Sequence, residues 1–146
     1  MKIGISACLA GDKVRYDGTD KKNEELLKIL KDHELIKICP EMAAGFPVPR
    51  ESLEIKDGKV YSSGGKDVTE KLKKGTLKCL EMIRDCDMVI LKERSPSCGT
   101  YRIYDGSFSG KLIEGQGLFT RLCLEHNIPV YSENDIEEIR RKTAGA

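Results

Sequence analysis

Four short apolar segments recur along the chain, separated by longer segments in which apolar and charged residues mix. They are KIGIS near the start, LIKIC from residue 35, MVILK from residue 88 and IPVYS from residue 128. Short apolar segments with β-branched side chains are typical of buried strands. Strands that alternate with helical segments build a parallel sheet covered by helices. The pattern therefore predicts an α/β fold, a three-layer Rossmann-like open sheet of about four parallel strands with helices on both faces.

The segments between the apolar ones show the apolar spacing of surface helices. We predict a first helix with Asp20 as its N-cap and a last helix with Asn134 as its N-cap. Two more helices are predicted over residues 67–86 and 117–127. These four helices supply the crossovers that parallel strands require.

Residues 41–67 lack helical spacing and are predicted to be mostly loop. Within them, residues 53–62 read as a small hairpin that turns at Asp57 and Gly58. We expect this hairpin to extend one edge of the sheet.

The chain is nearly neutral, because 25 basic and 24 acidic side chains leave a net charge of +1. Such a balance provides no general field for gathering long nucleic acid or an anionic membrane. No apolar segment approaches the roughly 18 residues of a membrane helix, and too few apolar residues precede Cys8 for a secretory signal. We therefore expect a single cytoplasmic domain, 1–146, that acts on small molecules.

Six cysteines stand at positions 8, 39, 79, 86, 98 and 123. In the cytoplasm thiols stay reduced, so metal binding or catalysis explains extra cysteines better than disulfides do. Open parallel sheets bind their ligands beyond the carboxyl ends of the strands. Cys8 and Cys39 end the first and second predicted strands, and Cys98 follows the third. We expect these three thiols to share one site at that edge.

The other three cysteines, Cys79, Cys86 and Cys123, fall inside or at the end of helical segments, where buried cysteine usually serves packing. His33 and His126 end helices, a position more typical of solvated cations than of ligands. Zinc usually takes four ligands, often in close pairs that this chain lacks. Three thiolates instead suit an iron–sulfur cluster with one open iron.

Two polar residues accompany the cysteines. Glu41 lies two residues after Cys39, and Ser97 directly precedes Cys98. A carboxylate at such a site works as a general acid or base, whereas the alternatives are an exposed loop acid and a turn serine. Four basic residues flank the motifs and either contact substrate, neutralise cluster charge or are surface cations: Arg15, Arg50, Lys92 and Arg94.

The segment 99–117 is rich in glycine and leads into a predicted helix. Backbone N–H groups at that helix start could hold an anion. The segment lacks the pattern of a phosphate-binding P-loop. A lid or plain turns are the alternative interpretation.

Four motifs occur in order over nearly the whole chain: ISACLAGDKVRYDG, CPEMAAGFPVPRE, DVTE and LKERSPSCGTYRIYDGSFSG. Together they resemble the thiouracil desulfidase (TudS) family. The combination of C-L-x-G, C-P-E and K-E-R-S-P-S-C-G is specific.

The resemblance implies a 4Fe-4S cluster with three Cys ligands, which the motifs place on Cys8, Cys39 and Cys98. It implies that the open iron takes up the sulfur of a thiolated pyrimidine, 2-thiouracil or a related thiouracil or thiouridine. The reaction is then a non-redox desulfidation that releases the oxo product. By the same motifs Glu41 and Ser97 are the catalytic pair. Cluster-assembly machinery is an implied partner.

Two other functions fit the residues. A non-enzymatic carrier of a cluster or of sulfide needs the three cysteines but not Glu41. A metal-free hydrolase would use Cys98 as nucleophile, activated by Arg94 or by a helix N-terminus. The lack of a well-placed histidine counts against this second alternative.

Overall fold

A computed structural model describes residues 1–145. In chain order the strands are β1 (Lys2–Ser6), β2 (Glu34–Ile38), β3 (Leu53–Lys56), β4 (Lys59–Ser62), β5 (Met88–Leu91), β6 (Arg102–Tyr104), β7 (Leu112–Glu114) and β8 (Val130–Ser132). The helices are α1 (Glu24–Ile29), α2 (Pro40–Ala43), α3 (Thr69–Ile83), α4 (Leu118–Glu125) and α5 (Ile136–Ala144), and a 3-10 helix covers Ala7–Ala10.

The main sheet has four parallel strands in the order β2-β1-β5-β8, as the apolar segments predict. Strand β1 lies inside the sheet, where Gly4 pairs with Ile36 of β2 and Val89 of β5. A Cβ atom added at Gly4 would lie 2.9 Å from side-chain atoms of both Ile83 and Val89. The glycine therefore lets α3 approach the sheet closely.

Helices cover both faces of the main sheet, which confirms the three-layer prediction. On one face α1 and α5 bury a cluster that consists of Ile3, Ile5, Leu26, Leu30, Met88, Ile90 and Ile139. On the other face α3 and α4 bury Ile38, Cys79, Leu80, Ile83, Val89, Leu91, Phe119 and Cys123. Burial of apolar surface on this scale is the main favourable term in folding.

The predicted hairpin is present, but it forms a separate two-stranded sheet, β3-β4, rather than an edge of the main one. Asp57 and Gly58 turn it with φ angles of 50° and 78°, as a tight hairpin turn requires. Its apolar side packs on α3 and on Ile103 of β6 instead of pairing with a main-sheet strand. A second hairpin, β6-β7, lies in the glycine-rich segment, where no strand was expected.

Two predicted helix caps are wrong by one to three positions. Helix α1 is capped by Asn23, whose Oδ1 accepts the N–H of Leu26 at 3.0 Å. Asp20 instead accepts the N–H of Lys22 in the preceding turn. Helix α5 follows Asp135 rather than Asn134. Within residues 1–145 the structure contains no helix of the length and apolar character that a membrane span requires.

Candidate functional site

A cavity of about 710 Å³ opens beyond the carboxyl ends of β1, β2 and β5. Cys8, Cys39 and Cys98 all line it, so the structure brings together the three thiols that the strand ends single out. Glu41 and Ser97 line it as well. All five predicted site residues therefore share one cavity.

Cys8 and Cys39 reach the cavity because each lies within two residues of the end of a main-sheet strand. Cys8 lies in the 3-10 helix after β1, and its carbonyl accepts the N–H of Gly11 and of Lys21. Cys39 is the N-cap residue of α2, a one-turn helix that overlaps the start of residues 41–67, for which the sequence predicts mostly loop. Pro40 begins this helix at the position where its missing N–H removes no hydrogen bond.

Cys98 lies in residues 92–102, which we call the cysteine loop. Its backbone N–H donates to Ser95 Oγ at 3.1 Å, and its carbonyl accepts the hydroxyl of Thr120 at 3.0 Å. A Cβ added at Gly117 would lie 2.4 Å from the carbonyl carbon of Ser97. The start of α4 thus packs directly against the peptide that carries Cys98.

The start of α4 is not available as an anion site. The N–H groups of Leu118 and Phe119 donate to the carbonyls of Pro96 and Ser97, at 3.0 and 2.8 Å. These donors are satisfied by the cysteine loop, so the suggestion that the glycine-rich segment binds an anion there is wrong. Glycine at 117 serves close packing.

Glu93 organises the cysteine loop from its interior. Its Oε1 accepts four backbone N–H groups, at 2.9 Å from Thr100 and Tyr101, 3.0 Å from Arg102 and 3.3 Å from Arg94. The residue is only 6% exposed, and Oε2 has no protein partner within the described residues. Sequence reasoning missed Glu93 because its partners are backbone groups, which leave no side-chain pattern.

Burial disfavours the thiolate form of all three cysteines and so raises the pKa of each. Burial raises the pKa of Cys8 to about 11, although Lys92 and Arg15 act in the opposite direction. Burial also raises the pKa of Cys39 and, well above its usual range, that of Cys98. A metal that binds these sulfurs therefore displaces protons.

Glu41 is a buried acid with a buried partner, not an exposed loop acid. Arg50 Nε donates to Glu41 Oε1 at 3.0 Å, and the Arg50 side chain is 4% exposed. The same guanidinium donates to the carbonyls of Val14 and Pro47, at 2.8 and 3.2 Å. Arg50 thereby fixes the Glu41 carboxylate, whose Oε2 accepts no hydrogen bond from the described part of the chain. Sequence reasoning named Arg50 only as one of four flanking cations.

Ser97 is also buried, and its hydroxyl lies next to a thiol. Ser97 Oγ donates to Cys98 Sγ at 3.7 Å and shares a hydrogen bond of 2.9 Å with Ser95 Oγ. Ser95 Oγ also accepts the N–H of Ser97 at 3.2 Å. Ser95 thus holds both the serine and the cysteine that follow it, a role that no single motif position reveals.

The other three basic residues that flank the motifs differ in their surroundings. Lys92 Nζ lies 3.0 Å from Glu133 Oε2, and Glu133 Oε1 accepts the N–H of Glu93 at 2.7 Å. Lys92 is therefore an internal partner rather than a surface cation. Arg15 and Arg94 line the cavity.

Cys79, Cys86 and Cys123 do not line the cavity, although Cys79 lies next to the backbone of Cys39. Cys79 and Cys123 are fully buried in the core between α3, α4 and the sheet. Burial raises the pKa of each to about 12. His33 Nδ1 hydrogen-bonds the terminal amine of Met1 at 3.0 Å. Among residues 1–145 no three His, Cys, Asp or Glu side chains are arranged to hold a single metal ion.

The family model of the 2-thiouracil desulfurases matches residues 3–135. The chain belongs to the 2-thiouracil desulfurase family. The uncharacterized protein YbbK of Bacillus subtilis (strain 168) is 38% identical over 149 residues, which cover 94% of this chain and 99% of that protein. The solved structure of the 4Fe-4S-dependent thiouracil desulfidase TudS superimposes with a TM-score of 0.91 at 36% identity, over 99% of each chain.

Membership of the 2-thiouracil desulfurase family identifies the chain as an enzyme that cleaves a carbon–sulfur bond. The likeness to TudS also confirms the α/β fold that the sequence predicts. Both matches span the motifs from Cys8 to Cys98.

Proposed function

We propose that this desulfurase-family chain holds a 4Fe-4S cluster on Cys8, Cys39 and Cys98 and removes sulfur from a thiolated pyrimidine such as 2-thiouracil. The main support is the cavity in which three thiols from three strand ends meet the buried, arginine-paired Glu41. TudS, similar over 99% of the chain, is named as 4Fe-4S-dependent. The proposal includes a cytoplasmic setting, supply of the cluster by assembly machinery and a small-molecule substrate rather than long nucleic acid.

The donors that line the cavity fit such a cluster. Three of them are cysteines, whose thiolates are soft ligands, and no histidine among residues 1–145 lines the cavity, which favours an iron–sulfur cluster over the Cys and His sets common for zinc. Four cysteines normally saturate a cubane cluster, so three leave one iron for a substrate.

When bound, the cluster supplies a Lewis-acidic iron for the soft sulfur of the substrate. The reaction needs one water molecule, whose oxygen bonds to the ring carbon as the carbon–sulfur bond breaks. Both protons of the water leave with the sulfur, so the products are the oxo pyrimidine and hydrogen sulfide and no electrons are exchanged.

Glu41 is the base of this reaction. Its Oε1 is held by Arg50, which leaves Oε2 to accept a proton from the water. Ser97 lies between Ser95 Oγ and Cys98 Sγ, where its hydroxyl relays a proton toward the departing sulfur. The fixed carboxylate and hydroxyl provide the positioning that general acid–base catalysis requires.

A metal-free thiolate mechanism receives less support. A nucleophilic cysteine needs a lowered pKa, whereas burial raises the pKa of Cys98 well above its usual range. Arg94 lines the cavity but makes no hydrogen bond to Cys98 within the described residues.

The deciding experiment measures iron and acid-labile sulfide in protein reconstituted without oxygen. We expect about four irons per chain, as for one cubane cluster, and their loss in Cys98→Ala. Cys123→Ala is the matched control, because Cys123 lies in the core and not in the cavity. Equal iron in wild type and Cys98→Ala would refute the ligand assignment.

Turnover of 2-thiouracil then tests the base. Glu41→Gln retains an oxygen for Arg50 and should keep the cluster while losing uracil formation. A Glu41→Gln variant as active as wild type would remove Glu41 from the mechanism.

A further inference from the structure

The cavity must hold a flat aromatic ring if the proposed function is correct, and the present inference rests on that function. Three aromatic residues line it: Tyr16, Tyr104 and Phe108. Tyr16 is 41% exposed, and Tyr104 belongs to strand β6. Phe108 differs from the two tyrosines, because contacts of its loop with a neighbouring strand fix its backbone.

The backbone of Phe108 adopts a conformation that large side chains rarely accept. Its φ angle is +56°, in the left-handed region. Residues in this region persist only where the surroundings fix them, and they concentrate at functional sites. The turn of β6-β7 also has positive φ angles at Gly106 and Gly110, where glycine accepts them without strain, whereas position 108 holds a phenylalanine in the same region.

Glu54 of strand β3 fixes this conformation. Its Oε1 accepts the N–H of Gly106 at 3.0 Å and the N–H of Phe108 at 3.1 Å. Glu54 is buried although it is charged. A buried carboxylate that binds backbone N–H groups makes strong, charge-assisted hydrogen bonds. The loop tip is therefore tied to the neighbouring hairpin.

Residues 105–108, at the tip of the β6-β7 hairpin, also lie too close to the β3-β4 hairpin to move toward it. A Cβ added at Gly106 would lie 2.8 Å from the carbonyl oxygen of Ile55 and 2.6 Å from Lys56 Cβ. The backbone of residues 105–108 thus rests on β3, with Phe108 at the cavity. A bulky apolar side chain is held at a polar, charged site where packing alone does not demand it.

We propose that Phe108 stacks on the pyrimidine ring of the substrate, and that Glu54 is the positioning residue that holds Phe108 for this contact. Base–aromatic stacking depends on the flat face of the ring and not on its sulfur. The contact is therefore equal for the thiolated substrate and the oxo product, and it contributes to ring binding before and after sulfur removal.

Two measurements on the cluster-loaded protein test this proposal: the steady-state kinetics of 2-thiouracil desulfidation, and the Kd of uracil by calorimetry. Phe108→Ala should weaken uracil binding and raise KM by roughly 5- to 150-fold, the range that base-stacking aromatics show on truncation. The kcat should fall much less. Phe108→Tyr should stay near wild type, whereas Phe108→Leu, which keeps apolar bulk without a π face, should resemble Phe108→Ala.

Glu54 is tested by a conservative pair. Glu54→Ala should raise KM as Phe108→Ala does. Glu54→Gln, which retains an acceptor oxygen, should have a KM close to that of wild type. Ile113→Ala is the matched control, because Ile113 is an exposed apolar residue of the same hairpin and does not line the cavity. Iron content is measured for every variant.

The outcomes separate this inference from the proposed function. If wild type desulfurates 2-thiouracil and Phe108→Ala has the same KM and uracil Kd, the stacking role is refuted. If Phe108→Ala loses its iron, Phe108 shields the cluster and the inference is also refuted. A wild type that binds uracil through Phe108 but lacks desulfidation would refute the proposed function and support the stacking. A wild type that binds no uracil would refute the stacking.

Discussion

Replacement of Glu93 tests whether the cysteine loop is built around one carboxylate. Oε1 of Glu93 accepts the N–H groups of Arg94, Thr100, Tyr101 and Arg102 across ten residues of chain that include Cys98. Alanine would remove the acceptor and leave buried donors without a partner. The loop would then have to open to water, which moves Cys98 away from the position that its partners define.

The size of the effect follows from the hydrogen bonds. A bond to a charged group contributes about 1.5–3 kcal/mol, but four donors that share one oxygen do not add fully. We therefore expect Glu93→Ala to lower the free energy of unfolding by about 3–5 kcal/mol, as removal of one partner from a buried charged arrangement does. Glu93→Gln keeps a neutral acceptor oxygen and should cost about 1–2 kcal/mol, because neutral hydrogen bonds are roughly half as strong.

Urea unfolding and iron content measure these effects. We expect Glu93→Ala to retain little cluster and Glu93→Gln to retain most of it. Glu114→Ala, an exposed acid on β7, is the control and should change the free energy of unfolding by less than about 0.5 kcal/mol. The reasoning fails if Glu93→Ala unfolds at the same urea concentration as wild type and binds the same amount of iron.

Three other substitutions probe the packing of the site. Gly117→Ala forces a Cβ into the cysteine loop and should cost about 1–3 kcal/mol of unfolding free energy with loss of iron, whereas Gly145→Ala, which meets nothing within 4 Å, should be silent in the same urea titration. Arg50→Met leaves Glu41 buried without its partner and should lower the free energy of unfolding by about 3 kcal/mol. Arg50→Lys should recover stability more than activity, since lysine lacks the planar guanidinium; turnover of Arg50→Lys equal to that of wild type would contradict this. Cys79→Ala should cost about 1–2 kcal/mol by loss of core packing and leave iron per chain unchanged, unlike a ligand.

The sheet and its covering helices follow from the sequence because they depend on local periodicity. Four apolar segments and the helical spacing between them determine the order of layers, and handedness rules leave few topologies. The exact helix starts were less predictable, because capping depends on which side chain actually meets a free N–H. Asn23 rather than Asp20 reaches the N–H of Leu26, and residue type alone does not distinguish these two.

The placement of the three thiols in one cavity was also predictable, since parallel strands end at one edge. The residues that hold them were not. Arg50 is nine residues from Glu41 in the chain, and Glu54 is 52 residues from Gly106. Such contacts join segments whose distance is decided only by the complete fold, and most of them involve backbone groups that carry no sequence signature.

Three carboxylates that line the cavity share one role in the structure. Glu93 gathers the cysteine loop, Glu54 ties the tip that carries Phe108, and Glu133 links the N–H of Glu93 to Lys92. A buried carboxylate is costly unless it is hydrogen-bonded, and backbone N–H groups supply the hydrogen bonds of Glu93 Oε1 and Glu54 Oε1. Hydrogen bonds from backbone N–H groups thus hold both the cysteine loop and the loop tip in place. If Cys8, Cys39 and Cys98 hold the cluster as proposed, its binding requires these three thiols to lose their protons.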